Sequence, residues 1–95
     1  MKLIIKPQGS DRIDLSLTKD TITIGRSSRC DIRLIDSKIS RIHCVVERKD
    51  RKVVIRDLNS KNGIKINGRL QRECELQNGD IVLIGHAICC YQNAS

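Results

Sequence analysis

Arg26, the pair Ser40-Arg41, and Asn62 each stand beside a short apolar run, and each carries groups that could donate to an anion. Arg26 is the most conspicuous. The alternating run Thr21-Ile22-Thr23-Ile24 ends at Gly25 and an arginine comes next, where an ordinary turn would take Asn, Asp, Gly or Pro. Arginine presents a planar fork of donors, the Ser40 hydroxyl adds one more, and the Asn62 carboxamide both donates and accepts, which suits the backbone of an extended peptide. A phosphate monoester brings about −1.5 to −2 charges at pH 7 and three acceptor oxygens. Each charge-assisted bond to it contributes roughly 1.5–3 kcal/mol. The chemistry on offer is therefore capture of a phosphorylated peptide.

Residues so far apart in sequence can cooperate only if the fold gathers them. The apolar residues are almost all Ile, Leu and Val, with one Tyr and no Phe or Trp, a strand-forming composition. Ten short runs have β character: 3–6, 13–17, 21–24, 32–34, 43–48, 52–58, 64–66, 74–76, 81–84 and 87–91. Ile13, Leu15 and Leu17 share one face, and Val53 and Ile55 oppose Lys52, Val54 and Arg56, so these strands have one wet side. No stretch sustains a helical period. This pattern predicts an all-β, antiparallel sandwich or barrel filling residues 1–95 as one domain; in a sandwich the loops of one end cluster. Of three Asn-Gly pairs, Asn67-Gly68 and Asn78-Gly79 read as hairpin turns. Asn62-Gly63 follows the polar Asn59-Ser60-Lys61 and forms a longer, donor-rich loop.

Eighteen Lys and Arg against eleven Asp and Glu give a formal net charge of +7, which favours an acidic partner without choosing one. Nucleic acid is disfavoured, because single-strand binders stack bases on aromatic rings and only Tyr91 is available; no helix-turn-helix or zinc finger is visible either. No apolar run approaches the roughly 20 residues of a membrane helix, and the first residues lack a signal-peptide core. An intracellular, cytoplasmic or nuclear protein without a membrane partner is expected. The five cysteines, Cys30, Cys44, Cys74, Cys89 and Cys90, have no zinc spacing, so no metal or other cofactor is expected, and they read as small apolar side chains in a reducing compartment. No nucleophile-base constellation marks an enzyme.

In order along the chain, Gly25-Arg26, Ser40-Arg41-Ile42-His43, Ser60-Lys61-Asn62-Gly63 and Asn67-Gly68 reproduce the pattern G-R, S-x-x-H, S-x-N-G and a later N-G. Cys30-Asp31-Ile32, Asp57-Leu58 and the closing 76–85 segment extend the match. The sequence resembles a forkhead-associated (FHA) domain. The resemblance implies an eleven-stranded β-sandwich that binds phosphothreonine peptides through loops at one end, without catalysis; a phosphothreonine ligand in turn points to Ser/Thr kinase signalling. By motif position, Arg26 and Ser40 would hold the phosphate, Arg41 or Lys61 would add to it, and Asn62 would hold the peptide main chain. Gly25, His43 and Gly63 would be architectural.

Two departures stand at the site: Ile64 replaces the family's usual Thr after Asn62-Gly63, and Lys61 stands where Thr often precedes Asn62. Peptide selectivity is therefore this chain's own. Lys38, Arg41, Lys61 and Lys65 lie in or beside the site loops, so acidic residues flanking the phosphothreonine are expected to be preferred. Arg29, Arg33, Lys49, Arg51, Lys52, Arg69 and Arg72 read as solvated surface, and His86 as an exposed turn residue. An FHA fold used as a phosphate-independent docking or oligomerisation surface is the rival function, with a basic nucleic-acid binder behind it.

Overall fold

A computed structural model describes residues 1–93; Ala94 and Ser95, the last two of the expected 1–95 domain, lie outside the described residues. The strands are β1 (Lys2–Lys6), β2 (Ile13–Ser16), β3 (Thr21–Gly25), β4 (Ile32–Arg33), β5 (Cys44–Lys49), β6 (Lys52–Asp57), β7 (Ile64–Ile66), β8 (Arg69–Gln71), β9 (Glu73–Glu75), β10 (Ile81–Ile84) and β11 (Ala87–Gln92). They form a six-stranded sheet in the order β2-β1-β11-β10-β7-β8 and a five-stranded sheet in the order β4-β3-β5-β6-β9. No helix among the described residues is long and apolar enough to cross a membrane.

The period-two pattern sets which side chains meet between the sheets. Leu3 and Ile5 of β1, Val82 and Ile84 of β10, and Cys89 and Tyr91 of β11 close one wall of the core. Ile22 and Ile24 of β3, Cys44 and Val46 of β5, and Val53 and Ile55 of β6 close the other. Ile13, Leu15 and Leu17 fall on one side as their alternation predicts, with Asp14 and Ser16 exposed. Cys30, Cys44 and Cys89 are buried free thiols, while Cys74 and Cys90 are half-buried. Burial pushes the Cys89 thiol up to about 12 and Cys44 further still, so neither forms a thiolate at neutral pH.

Of the two expected Asn-Gly hairpins, one forms and the other does not. Asn67-Gly68 closes the β7–β8 hairpin with positive φ at both residues, +51° and +85°, as a type I′ turn requires. Its second strand, Arg69-Leu70-Gln71, has no buried face, and Leu70 is 67% exposed. An edge strand held by one partner needs no apolar alternation, which is why no pattern announced it. Asn78-Gly79 does not close a hairpin. It joins β9 in one sheet to β10 in the other through a turn in which Asp80 N–H donates to Gln77 O at 2.9 Å. Asn-Gly chemistry specifies a turn, and which sheet each flanking strand joins is decided by long-range pairing.

Candidate functional site

The site is assembled from the loops that follow β3, β4 and β6, and hydrogen bonds between those loops define it. Arg26 N–H donates to Ser40 O at 3.0 Å, and Ser27 N–H donates to Arg41 O at 3.0 Å, so the β3–β4 loop runs like a short ladder beside Ser40-Arg41. From the other side, Lys61 N–H donates to the Ser40 hydroxyl oxygen at 3.0 Å. That bond uses an acceptor position of the hydroxyl and leaves its proton unspent. Asn62 Nδ2 donates to Lys38 O at 2.9 Å, fastening the β6–β7 loop to the β4–β5 loop a second time. The structure thus brings together Arg26, Ser40, Lys61 and Asn62, and places Arg41 beside Arg26 on the rim. Arg26, Arg41, Lys61 and Asn62 are exposed, and Ser40 is half-buried.

His43 lies under this junction, fully buried. Its Nδ1 accepts Ser40 N–H at 3.0 Å, so the ring proton sits on Nε2, which donates to Gly63 O at 2.8 Å. Its backbone N–H donates to Ile24 O at 3.0 Å and its carbonyl accepts Leu58 N–H at 2.9 Å. Each polar group of one residue therefore ties a different segment of the chain to the same point. In the β6–β7 loop, the Ser60 hydroxyl donates to the Asp57 carboxylate and accepts Gly63 N–H at 2.8 Å, while Ser60 N–H also reaches Asp57 at 3.1 Å. These bonds hold the loop in one shape, with Gly63 at φ +72° and the Leu70 side chain over it.

Gly25 is required by close approach. A β-carbon there would collide with the Arg41 carbonyl oxygen and stand 2.8 Å from Cys30 Sγ. Gly25→Ala should therefore destabilise the domain by about 1–3 kcal/mol through overpacking and also weaken ligand binding, because the Arg41 carbonyl it displaces pairs with Ser27. Urea unfolding of the variant checks this, and an unchanged midpoint would contradict it.

Several neighbours of the site escape sequence reasoning. Arg33 lies with Arg26, Ser27 and Arg41 around a shallow depression of about 350 Å³. Arg72 and Leu70 line a larger cleft, about 670 Å³, together with Lys61, Asn62 and Gly63. His86 is exposed, as expected, but is also tethered. Its Nδ1 lies 2.9 Å from the Asp36 carboxylate, which also accepts His86 N–H and Lys38 N–H at 2.8 Å. Burial pushes the Asp36 carboxyl up, but these donors more than offset it and hold it below the ordinary range. The Asp36 bridge anchors the loop carrying Lys38 and Ser40 to the β10–β11 turn. Asp31, beyond Arg29 and Cys30, is lowered chiefly by the Thr23 N–H bond at 2.8 Å, which pins the far end of the β3–β4 loop.

This arrangement, a β-sandwich whose joined loops present arginine, serine and asparagine above a buried histidine, is that of a binding module. A family profile describing the FHA domain matches residues 22–85, and the chain belongs to the FHA family. It is 32% identical over 81 residues to the proliferation marker protein Ki-67 of Mus musculus, covering 84% of this chain and 2% of that protein. It is 34% identical over 64 residues to the FHA domain-containing protein FhaA of Mycobacterium tuberculosis, covering 67% of this chain and 12% of FhaA. The chain thus spans only a small part of the curated relatives it matches.

Among solved structures, the Slr1951 protein from Synechocystis superposes with a TM-score of 0.88 at 35% identity, covering 99% of this chain and 98% of that one. The FhaA FHA domain complexed with the intracellular domain of Rv3910 gives 0.82 at 27% identity, covering 94% and 96%. Mycobacterium tuberculosis EmbR in complex with a low-affinity phosphopeptide gives 0.81 at 26% identity, covering 96% of this chain and 24% of EmbR.

Proposed function

We propose that this FHA domain is a phosphothreonine-dependent peptide- and protein-binding module acting in Ser/Thr kinase signalling, and that residues 1–95 constitute one such domain. The observation that carries the reading is the convergence of Arg26, Ser40, Lys61 and Asn62 from three loops onto one hydrogen-bonded junction. Among the described residues, no carboxylate forms an ion pair with Arg26, Arg41 or Lys61. Such a junction favours a ligand that brings its own negative charge.

In this reading the Arg26 fork and the Ser40 hydroxyl hold the phosphate oxygens, and Arg41 and Lys61 add positive charge at the lip. The Asn62 carboxamide is oriented by Lys38 O and keeps its oxygen and second N–H for the peptide main chain. No covalent step is involved, and affinity comes from charge-assisted hydrogen bonds in a site whose loops are already tied down. The phosphopeptide in the EmbR complex and the partner domain in the FhaA complex support a ligand of this kind. Nucleic acid fits less well, because the sole aromatic side chain, Tyr91, is 1% exposed and has no face to offer a base. A phosphothreonine ligand places the protein where Ser/Thr kinases act, inside the cell.

An oriented library of phosphothreonine peptides, screened alongside matched unphosphorylated peptides, tests the proposal. Selected phosphopeptides should bind at roughly micromolar Kd, about −8 kcal/mol, with little binding left in their unphosphorylated twins. Enrichment of the same sequences in both pools would instead identify a phosphate-independent docking surface.

A further inference from the structure

We propose that the outer face of the six-stranded sheet is a second protein-docking surface, taking an unphosphorylated partner segment whose apolar stretch carries carboxylates at both ends. Strand register assembles the face. Ile4 of β1, Cys90 of β11 and Ile81 of β10 stand side by side in one row across the sheet. The next row is Lys6, Ile88, Leu83, Lys65 and Leu70. Leu3, Ile5, Val82, Ile84 and Cys89, which alternate with them along the strands, belong to the core, so both rows face outward. Ile81 is 41% exposed and Ile88 49%, while Leu83 and Cys90 are half-buried.

An antiparallel sheet with one face on the core commonly turns polar side chains to water on the other. The five-stranded sheet does so. Around Val45 and Val54 its outer face carries Thr21, Thr23, Glu47, Arg56 and Glu75, and its charges close on one another: Arg56 pairs with Glu47 at 2.8 Å and Lys52 with Glu75 at 4.0 Å. On the six-stranded sheet the charges stay open. Lys6 and Lys65 stand at the two ends of the Ile88-Leu83 pair, and neither forms an ion pair among the described residues. Asp14, the carboxylate beside Ile4, is taken by Arg12 at 2.7 Å.

Contiguous exposed apolar side chains framed by charge mark an interaction surface, and the sign of the frame selects the occupant. A second copy would bring the same lysines to the interface, because a two-fold contact uses one patch on both sides. An acidic bilayer has the right sign, but interfacial binding favours aromatic side chains, and the sole aromatic residue, Tyr91, is turned into the core. A protein segment with its own carboxylates satisfies both the apolar rows and the lysines. Lys6 and Lys65 are three strand spacings apart, about 14 Å. The matching carboxylates stand about four residues apart in an extended segment or about nine apart in a helix.

The test selects a random library of unphosphorylated peptides on the full chain, with binders of Ile88→Asp removed. Peptides of about 16 residues are long enough to cross the face even as a helix. Those enriched should carry an apolar stretch bounded by Asp or Glu at one of the two spacings. In calorimetry the best of them should lose at least about tenfold in affinity to Lys6→Glu as well as to Ile88→Asp. Both variants should melt within about 3 °C of wild type, because neither side chain belongs to the core. The same peptide with its acidic residues changed to lysine should prefer Lys6→Glu/Lys65→Glu over wild type. Amide shifts on titration should fall on β1, β10 and β11 and spare Ser40 and Asn62. No enriched peptide, enrichment without acidic residues, undiminished binding to Lys6→Glu, or shifts centred on the Ser40 junction would overturn the proposal. So would self-association that Ile88→Asp abolishes, which gives the face to a second copy, or binding to phosphatidylserine vesicles lost in that variant, which gives it to a membrane. The selection uses no phosphate, so its result stands apart from that of the phosphothreonine titration.

Discussion

Replacing Arg26 with alanine should weaken phosphothreonine-peptide binding by at least about 100-fold while leaving the melting temperature within about 2 °C of wild type. The loss follows from deleting the fork aimed at the phosphate, since two charge-assisted bonds of roughly 1.5–3 kcal/mol each disappear together. Stability is spared because the side chain is exposed and has no carboxylate partner among the described residues. The backbone bond from residue 26 to Ser40 O survives in alanine. Arg26→Lys keeps the charge without the planar fork and should recover only part of the affinity. Calorimetry and thermal melting on the three proteins check this directly. An affinity within a few-fold of wild type for Arg26→Ala would remove this residue from the phosphate.

His43→Ala should show the opposite balance, a loss of about 2–4 kcal/mol in stability, equivalent to a fall of roughly 10–20 °C in Tm for a domain of this size. The ring is fully buried and satisfies Ser40 N–H on one side and Gly63 O on the other. Alanine leaves both groups without that partner and a void where the ring was. Binding should weaken as well, because the bond through His43 is one of the ties that keep Ser40 in register with the Lys61-Asn62 segment. Urea unfolding followed by circular dichroism reads the first effect. A midpoint unchanged from wild type would mean that the backbone ladder alone holds the loops, contrary to the role assigned here.

The contrast between these two residues shows what a sequence can disclose. Arg26 was conspicuous because its type is wrong for a turn at a strand end, and Ser40, His43 and Asn62 because their spacing forms an ordered set. The core was legible for a similar reason: period-two alternation at Val53 and Ile55 carries over directly into a buried face, and at Ile13, Leu15 and Leu17 into one side packed on the core. Arg33 had no such signal. Its position depends on a two-residue strand pairing in parallel with β3, an arrangement with no local signature. The tether from His86 to Asp36 links residues fifty positions apart and depends on how the β10–β11 turn meets the β4–β5 loop. Strand β8 carries no signal because its Leu70 faces outward, and Asn78-Gly79 reads as a hairpin turn although its two flanking strands belong to different sheets. What stayed hidden in each case was set by pairing across the fold.

The central claim is that the junction of Arg26, Ser40, Lys61 and Asn62 recognises a phosphate on threonine. Calorimetric titration of the wild-type chain with one library-selected phosphothreonine peptide, and with the same peptide unphosphorylated, tests it most directly. The account predicts a Kd of roughly 1 µM for the first and at least about 100-fold weaker binding for the second, a difference of about 3 kcal/mol or more. Equal affinity for the two peptides would contradict it.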